Sequence, residues 1–163
     1  MRKRPRPRTE VKIVLRAAGA MRSGPERGTV DDYLRRAEGL ARGTGFLGVE
    51  EQEVAPKGKS DPTAALLDGV PGGAKLVVLD ERGKAVTSRG IAKALSAWRD
   101  AGVGACVVVV GPADGFDKSQ LPPGVVRWSF GLQTWPHKLV RVMAAEQLFR
   151  ALGILAGTPY HRD

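Results

Sequence analysis

Two stretches of the chain are apolar at almost every position, and both are short: KLVVLD (Lys75–Asp80) and ACVVVVG (Ala105–Gly111). Short, β-branched, continuous apolar runs are the pattern of strands buried on both faces. Between them, Ser88–Ala101 places Ile91, Ala94, Leu95 and Trp98 on one helical stripe. Strand, amphipathic helix and strand together make a βαβ unit of a parallel sheet. VKIVLRA (Val11–Ala17) reads as a first strand, and GAMRSGPERG (Gly19–Gly28) as a loop by its Gly and Pro content. Val30–Ala41 carries Val30, Tyr33, Leu34, Ala37, Leu40 and Ala41 at helical spacing, with acids in its first turn. Phe46–Val54 alternates weakly, as a strand does. The polar segment Ala55–Asp61 follows, and Asp61 is placed to cap a short helix through Asp68 that begins on Pro62. Arg127–Phe130 is a candidate fifth strand.

The longest helix is expected over His137–Leu155. Leu139, Val140, Val142, Met143, Leu148, Phe149 and Leu152 make it apolar around most of its circumference. Such a helix packs against a sheet or a second subunit. Glu146 and Arg150 form an i,i+4 pair on it in the better orientation. The pattern predicts an α/β domain of about five strands and five helices. In such sheets ligands bind beyond the carboxyl ends of the strands. Leu79–Gly83, Gly111–Gly115 and the loop after Phe130 would meet there.

Charge changes this picture only locally. The net charge is +9 over 163 residues, but Arg2, Lys3, Arg4, Arg6 and Arg8 supply five of it within MRKRPRPR. Residues 1–8 are therefore expected to be a basic tail, and residues 9–163 a single domain carrying +4. A basic balance favours phosphate-rich partners, although +4 alone does not establish one. No run reaches the ~18 apolar residues of a membrane span. Cys106 is the only cysteine, so no internal disulfide or cysteine metal cluster is possible, and a cytoplasmic location is expected. It sits in a strand run and reads as a small core residue. No metal site is expected.

The candidate chemistry lies in the three loops and at the end of the chain. GPADG (Gly111–Gly115) lets a ligand approach the backbone, but neither GxGxxG nor GxxxxGK[ST] is present. WSFGLQTWPH (Trp128–His137) combines apolar walls (Phe130, Leu132, Trp135), the flexible Gly131 and polar Ser129, Gln133 and Thr134. That composition suits an adenine-sized pocket or, equally, a core loop before a helix. His137 follows Pro136 at a helix start and reads as a cap or packing residue. TPYHRD ends in an aromatic ring, an imidazole and a fixed cation, Tyr160, His161 and Arg162. By position these belong to an end that frays, and by composition to an anion clamp.

LVVLDERG, GPADG and WSFGLQTWPHKLVRVMAAEQLFRALGILAGTPYHRD, taken in this order, resemble the RlmH family of SPOUT-class methyltransferases. The likeness runs from Leu76 to Asp163 and is most specific in PHKLVRVMAAEQLFRA and PYHR. The N-terminal half is similar only in layout, including a YLRR helix (Tyr33–Arg36), and the basic leader lies outside the pattern. The resemblance implies a SPOUT α/β fold with a C-terminal trefoil knot, a homodimer, and transfer of a methyl group from S-adenosylmethionine to N3 of a pseudouridine. The substrate would be 23S ribosomal RNA in the assembled ribosome. By position, Leu79, Gly111, Phe130, Gly131, Leu132, Gln133, Thr134 and Trp135 would hold the cofactor. Tyr160, His161 and Arg162 would lie by the methyl group and the target base. The family has two adjacent glycines where this chain has Gly111–Pro112, and a proline there removes an amide donor.

N3 of a pseudouridine carries an imide proton, so a base or a stabiliser of the deprotonated ring assists its methylation. His161 is the candidate acceptor. Arg162 or Arg141 would stabilise developing negative oxygens or bind phosphate, and Tyr160 would stack on the base. Two other readings stay open at this stage: a non-catalytic RNA- or ribosome-binding SPOUT protein, and a SPOUT methyltransferase of another RNA.

Overall fold

A computed structural model describes residues 11–55 and 61–163. The expectations for the basic tail 1–8 and for most of the 55–61 loop lie outside the described residues. Five parallel strands form one sheet: β1 (Val11–Ala18), β2 (Phe46–Val54), β3 (Lys75–Ala85), β4 (Ala105–Val110) and β5 (Val126–Ser129), in the spatial order β2-β1-β4-β3-β5. Four α-helices connect or follow them: α1 (Pro25–Ala41), α2 (Pro62–Leu67), α3 (Ser88–Ala101) and α4 (His137–Ala156). Five helices were expected. Among the described residues the remaining helical turns are two 3₁₀ segments, Arg42–Thr44 and Lys118–Gln120.

The apolar strands divide their side chains between two cores. Cys106, Val108 and Val110 of β4 face α1, α3 and α4, together with Ile13, Leu15, Val77 and Leu79. Ala105, Val107 and Val109 face the other side, with Val14, Val78 and Leu66 of α2. That alternation is why β4 has to be apolar at every position. Cys106 is buried, and burial pushes its thiol up to about 12, so it is an inert core residue.

The helix ends obey local rules. Asp61 caps α2 by accepting from the Thr63 amide at 2.7 Å. Thr87 caps α3 through the Gly90 amide, and Gly102 closes it at φ 76°. α1 starts at Pro25, five residues before the expected Val30, because Pro25 takes the first helical position, where its missing amide costs nothing.

β3 is where the fold departs most from expectation. Leu79–Gly83 is not a free loop: β3 continues to Ala85, and Leu79 and Lys84 both register with Trp128 of β5. Asp80–Gly83 is therefore extra chain folded out between two paired stretches. Gly83 is required here, since a Cβ would come within 2.7 Å of the Arg127 backbone. Trp98 of α3 stacks on Trp128 at 5.8 Å and 16° and fixes this edge. No helix among the described residues is long and apolar enough to cross a membrane, and no group of three metal-ligating side chains occurs among them.

Candidate active site

The bulge of β3, the turn after β4 and the loop after β5 enclose a cavity of about 360 Å³ at the carboxyl edge of the sheet. Leu79, Gly111, Phe130, Gly131, Gln133, Thr134 and Trp135 all line it, so seven of the eight expected cofactor residues converge. The eighth, Leu132, is not on the wall. Its side chain is fully exposed. Gly111 has a steric reason: a Cβ would meet the Phe116 ring at 2.7 Å. Gly131 has a conformational one, φ 132°, which side chains rarely adopt. Pro112 lies on the wall and stiffens the turn, its carbonyl accepting from the Gly115 amide at 2.9 Å.

The cavity fits an adenosyl group. The amides of Gln133, Thr134 and Trp135 donate to no group among the described residues, and Phe130 and Trp135 supply flat apolar surface. Such a set of free backbone donors beside aromatic rings binds a purine by edge and face. The charged part of the wall holds Asp80, Glu81, Arg82, Asp114 and Lys118. Burial raises Asp80, but the Arg82 amide, the Arg127 guanidinium and Lys118 outweigh it and hold the carboxyl below its ordinary value. Thr134 donates to Glu81 at 2.8 Å and ties the third loop to the β3 bulge. His137 is exposed on the wall and caps nothing, contrary to expectation. Sequence reasoning also missed Phe116 and Lys118, whose signal was only their place after GPADG.

The Tyr160–Asp163 segment is not on this wall. It folds onto α1, α3 and α4 instead. Glu146 of α4 accepts from Tyr160 Oη at 3.0 Å and from Arg150 at 2.6 and 2.8 Å, so the expected Glu146–Arg150 pair forms. The Arg150 guanidinium lies 4.6 Å over the Tyr160 ring, and Phe149 meets the ring at 4.6 Å and 60°. Arg36 sits 5.5 Å from the same ring. In this arrangement the Tyr160 ring, expected to stack on a base, is covered by Arg150, Phe149 and Arg36. Burial, then the Tyr33 hydroxyl and Glu146, push its phenol up to about 12, so it stays protonated. His161 is close to Arg150 and Asp163. Arg162 is exposed, with no ion pair among the described residues.

Arg141, the other candidate for stabilising charge or binding phosphate, lies away from the cavity. It is 3% exposed and donates to Glu53 at 2.6 Å and to the Ala18 and Gly19 carbonyls at 3.1 and 2.8 Å. It ties α4 to the ends of β1 and β2 and lines neither the loop cavity nor a neighbouring one. Those contacts tie elements of the fold together.

Comparison with known proteins agrees with this geometry. The family model described as "Predicted SPOUT methyltransferase" matches residues 11–161. The chain belongs to the SPOUT methyltransferase family. It is 49% identical to the "Ribosomal RNA large subunit methyltransferase H" of Maricaulis maris (strain MCS10), over 94% of this chain and all of the relative. It is 46% identical to the protein of the same name from Hyphomonas neptunium (strain ATCC 15444), over 93% of this chain and 99% of the relative. The likeness thus covers the N-terminal half too, which by sequence motif resembled the family only in layout. As a SPOUT methyltransferase the chain is an enzyme that uses a methyl donor.

Proposed function

We propose that this enzyme methylates N3 of a pseudouridine in 23S ribosomal RNA of the assembled ribosome, using S-adenosylmethionine, in the cytoplasm. The names of its relatives support the RNA, and the cavity supports the donor. The donor supplies an electrophilic methyl group on a sulfonium. The chain supplies the rest. Gly131, Gln133, Thr134 and Trp135 hold the adenosyl group by amides and ring faces, while Leu79 and Gly111 let it sit against the strand ends. Those walls exclude water from the transfer. His161 takes the imide proton from the base, and Arg162 faces its phosphate or oxygens.

One observation carries the assembly. None of Tyr160, His161 and Arg162 lies on the wall of the loop cavity of its own chain. A homodimer in which one protomer's segment serves its partner's cavity completes the site. The fully exposed Leu132 and the half-exposed Trp135 and Leu139 give that dimer an apolar face. The trefoil threading of the C-terminal part belongs to the same reading.

Mixed dimers test it. A His161→Ala protomer keeps an intact cavity, and a Gly111→Val protomer keeps an intact segment. Co-expressed, they should regain methyl transfer that neither homodimer shows. No recovery in verified mixed dimers would mean that each protomer works alone.

A further inference from the structure

The segment that carries His161 is held from an unexpected place. Arg89 is the second residue of α3, and a cation at a helix N-terminus is electrostatically misplaced unless something partners it. Its partner is Asp163: Arg89 Nε donates to Oδ1 at 2.8 Å and a terminal nitrogen donates to Oδ2, a two-pronged arginine–carboxylate pair. Asp163 in turn lies 3.1 Å from His161 Nε2 through Oδ1. On the other side, Arg150 lies 3.3 Å from His161 Nδ1.

These contacts fix the tautomer. A guanidinium only donates, so Nδ1 facing Arg150 must carry the lone pair. A carboxylate only accepts, so Nε2 facing Asp163 must carry the proton. Both sides demand the same form of the ring. The two contacts are unequal, however. At 3.3 Å the Arg150 contact is near the outer limit for a hydrogen bond, whereas Asp163 is itself held by two donors. The remaining charged and titratable groups around the cluster are Arg36 and Tyr33 of α1, Glu146 of α4, and Tyr160 and Arg162 of the segment itself.

We propose that Arg89 and Asp163 form a clasp that positions His161, keeping its proton on Nε2 and leaving the Nδ1 lone pair, met only by the long Arg150 contact, to take the imide proton as that contact is released. A carboxylate behind an imidazole that keeps the ring in one tautomer is the orienting part of a catalytic relay. The Arg89 pair also pulls the Asp163 carboxyl down to about 2, so the clasp is charged near neutral pH. The clasp rests on the reading that His161 accepts the imide proton. Arg89 and Asp163 touch neither donor nor base in this scheme and act through His161.

The test uses the full-length protein labelled with ¹⁵N at its two histidines, with His161 assigned by its loss in His161→Ala. Wild-type His161 should show the Nε2–H tautomer alone, and Asp163→Ala or Arg89→Ala a mixture of both. In those variants kcat should fall about tenfold, a part of the ~10²–10⁴ that a positioned proton acceptor supplies, with both KM values unchanged. Arg89→Lys and Asp163→Glu should restore most of the rate. Added to His161→Ala, Arg89→Ala should cost nothing further, because it acts through that ring. An unchanged tautomer in Asp163→Ala, or additive losses in the double variant, would overturn the clasp. Full activity of His161→Ala would instead refute the proton-acceptor reading, and the tautomer measurement would still decide whether the clasp holds the ring.

Discussion

Replacing Arg141 with methionine separates a structural arginine from a catalytic one. Methionine keeps the aliphatic bulk of the side chain, so the change removes charge and donors and leaves little cavity. It leaves Glu53 with only the Met21 amide at 2.6 Å and Arg27 at 3.5 Å, and leaves the Ala18 and Gly19 carbonyls without this donor. Breaking a buried ion pair from one side costs ~3–5 kcal/mol. The Glu53 side chain is 32% exposed and can reach water, so the lower end applies, about 3 kcal/mol. For a domain of this size that lowers Tm by about 6–12 °C. Burial alone would raise Glu53, but the Met21 amide, Arg141 and Arg27 outweigh it and lower its folded pKa. A group lowered on folding stabilises above its unfolded pKa and loses that contribution as pH falls through the folded one. The gap between wild type and Arg141→Met should therefore narrow on acidification below the ordinary glutamate range. Calorimetry across pH and a methyl-transfer assay at 25 °C measure the two sides, and kcat should stay within about twofold. A native Tm with collapsed activity would return Arg141 to the reacting groups.

Three other substitutions follow from the same geometry. Gly111→Val puts carbon where the Phe116 ring already stands, so S-adenosylmethionine affinity should fall at least about tenfold by calorimetry, overpacking being worth ~1–3 kcal/mol; wild-type affinity would mean the cavity is not the donor site. Leu132→Glu should turn a dimer into a monomer by light scattering without changing the fold, since that side chain touches nothing in its own chain; a persistent dimer would move the interface elsewhere. Arg162→Ala should raise KM for ribosomes and flatten its salt dependence, leaving donor binding intact; an unchanged salt slope would show that Arg162 meets no phosphate.

The layout of the fold was legible because its core strands must be apolar on both faces. β1, β2, β4 and α3 begin where the pattern places them, and α4 differs only in ending one residue later, at Ala156. What hid was anything decided by a partner distant in sequence. The β3 bulge exists because β5 pairs with β3 on both sides of it, and nothing within LDERG records that. Arg141 reads as a lone cation on an apolar helix, because Glu53 and the Ala18 and Gly19 carbonyls reach it from other elements. Glycine and proline misled once, at Pro25, where a helix start looked like loop. The meeting of three loops beyond the strand ends was readable from the α/β pattern, and seven of the eight residues that the resemblance assigned to a cofactor line one cavity there. Separation of His161 from that wall was not readable, and under the proposed function it calls for a site shared between protomers.

The central claim is the substrate and the reaction together. Mass spectrometry of ribosomal RNA from cells lacking this protein addresses both at once. The account predicts loss of one methyl group, from a single pseudouridine of 23S RNA, restored by the wild-type gene and not by the Gly111→Val variant. An unchanged modification pattern, or loss of a methyl group from another RNA, would contradict it.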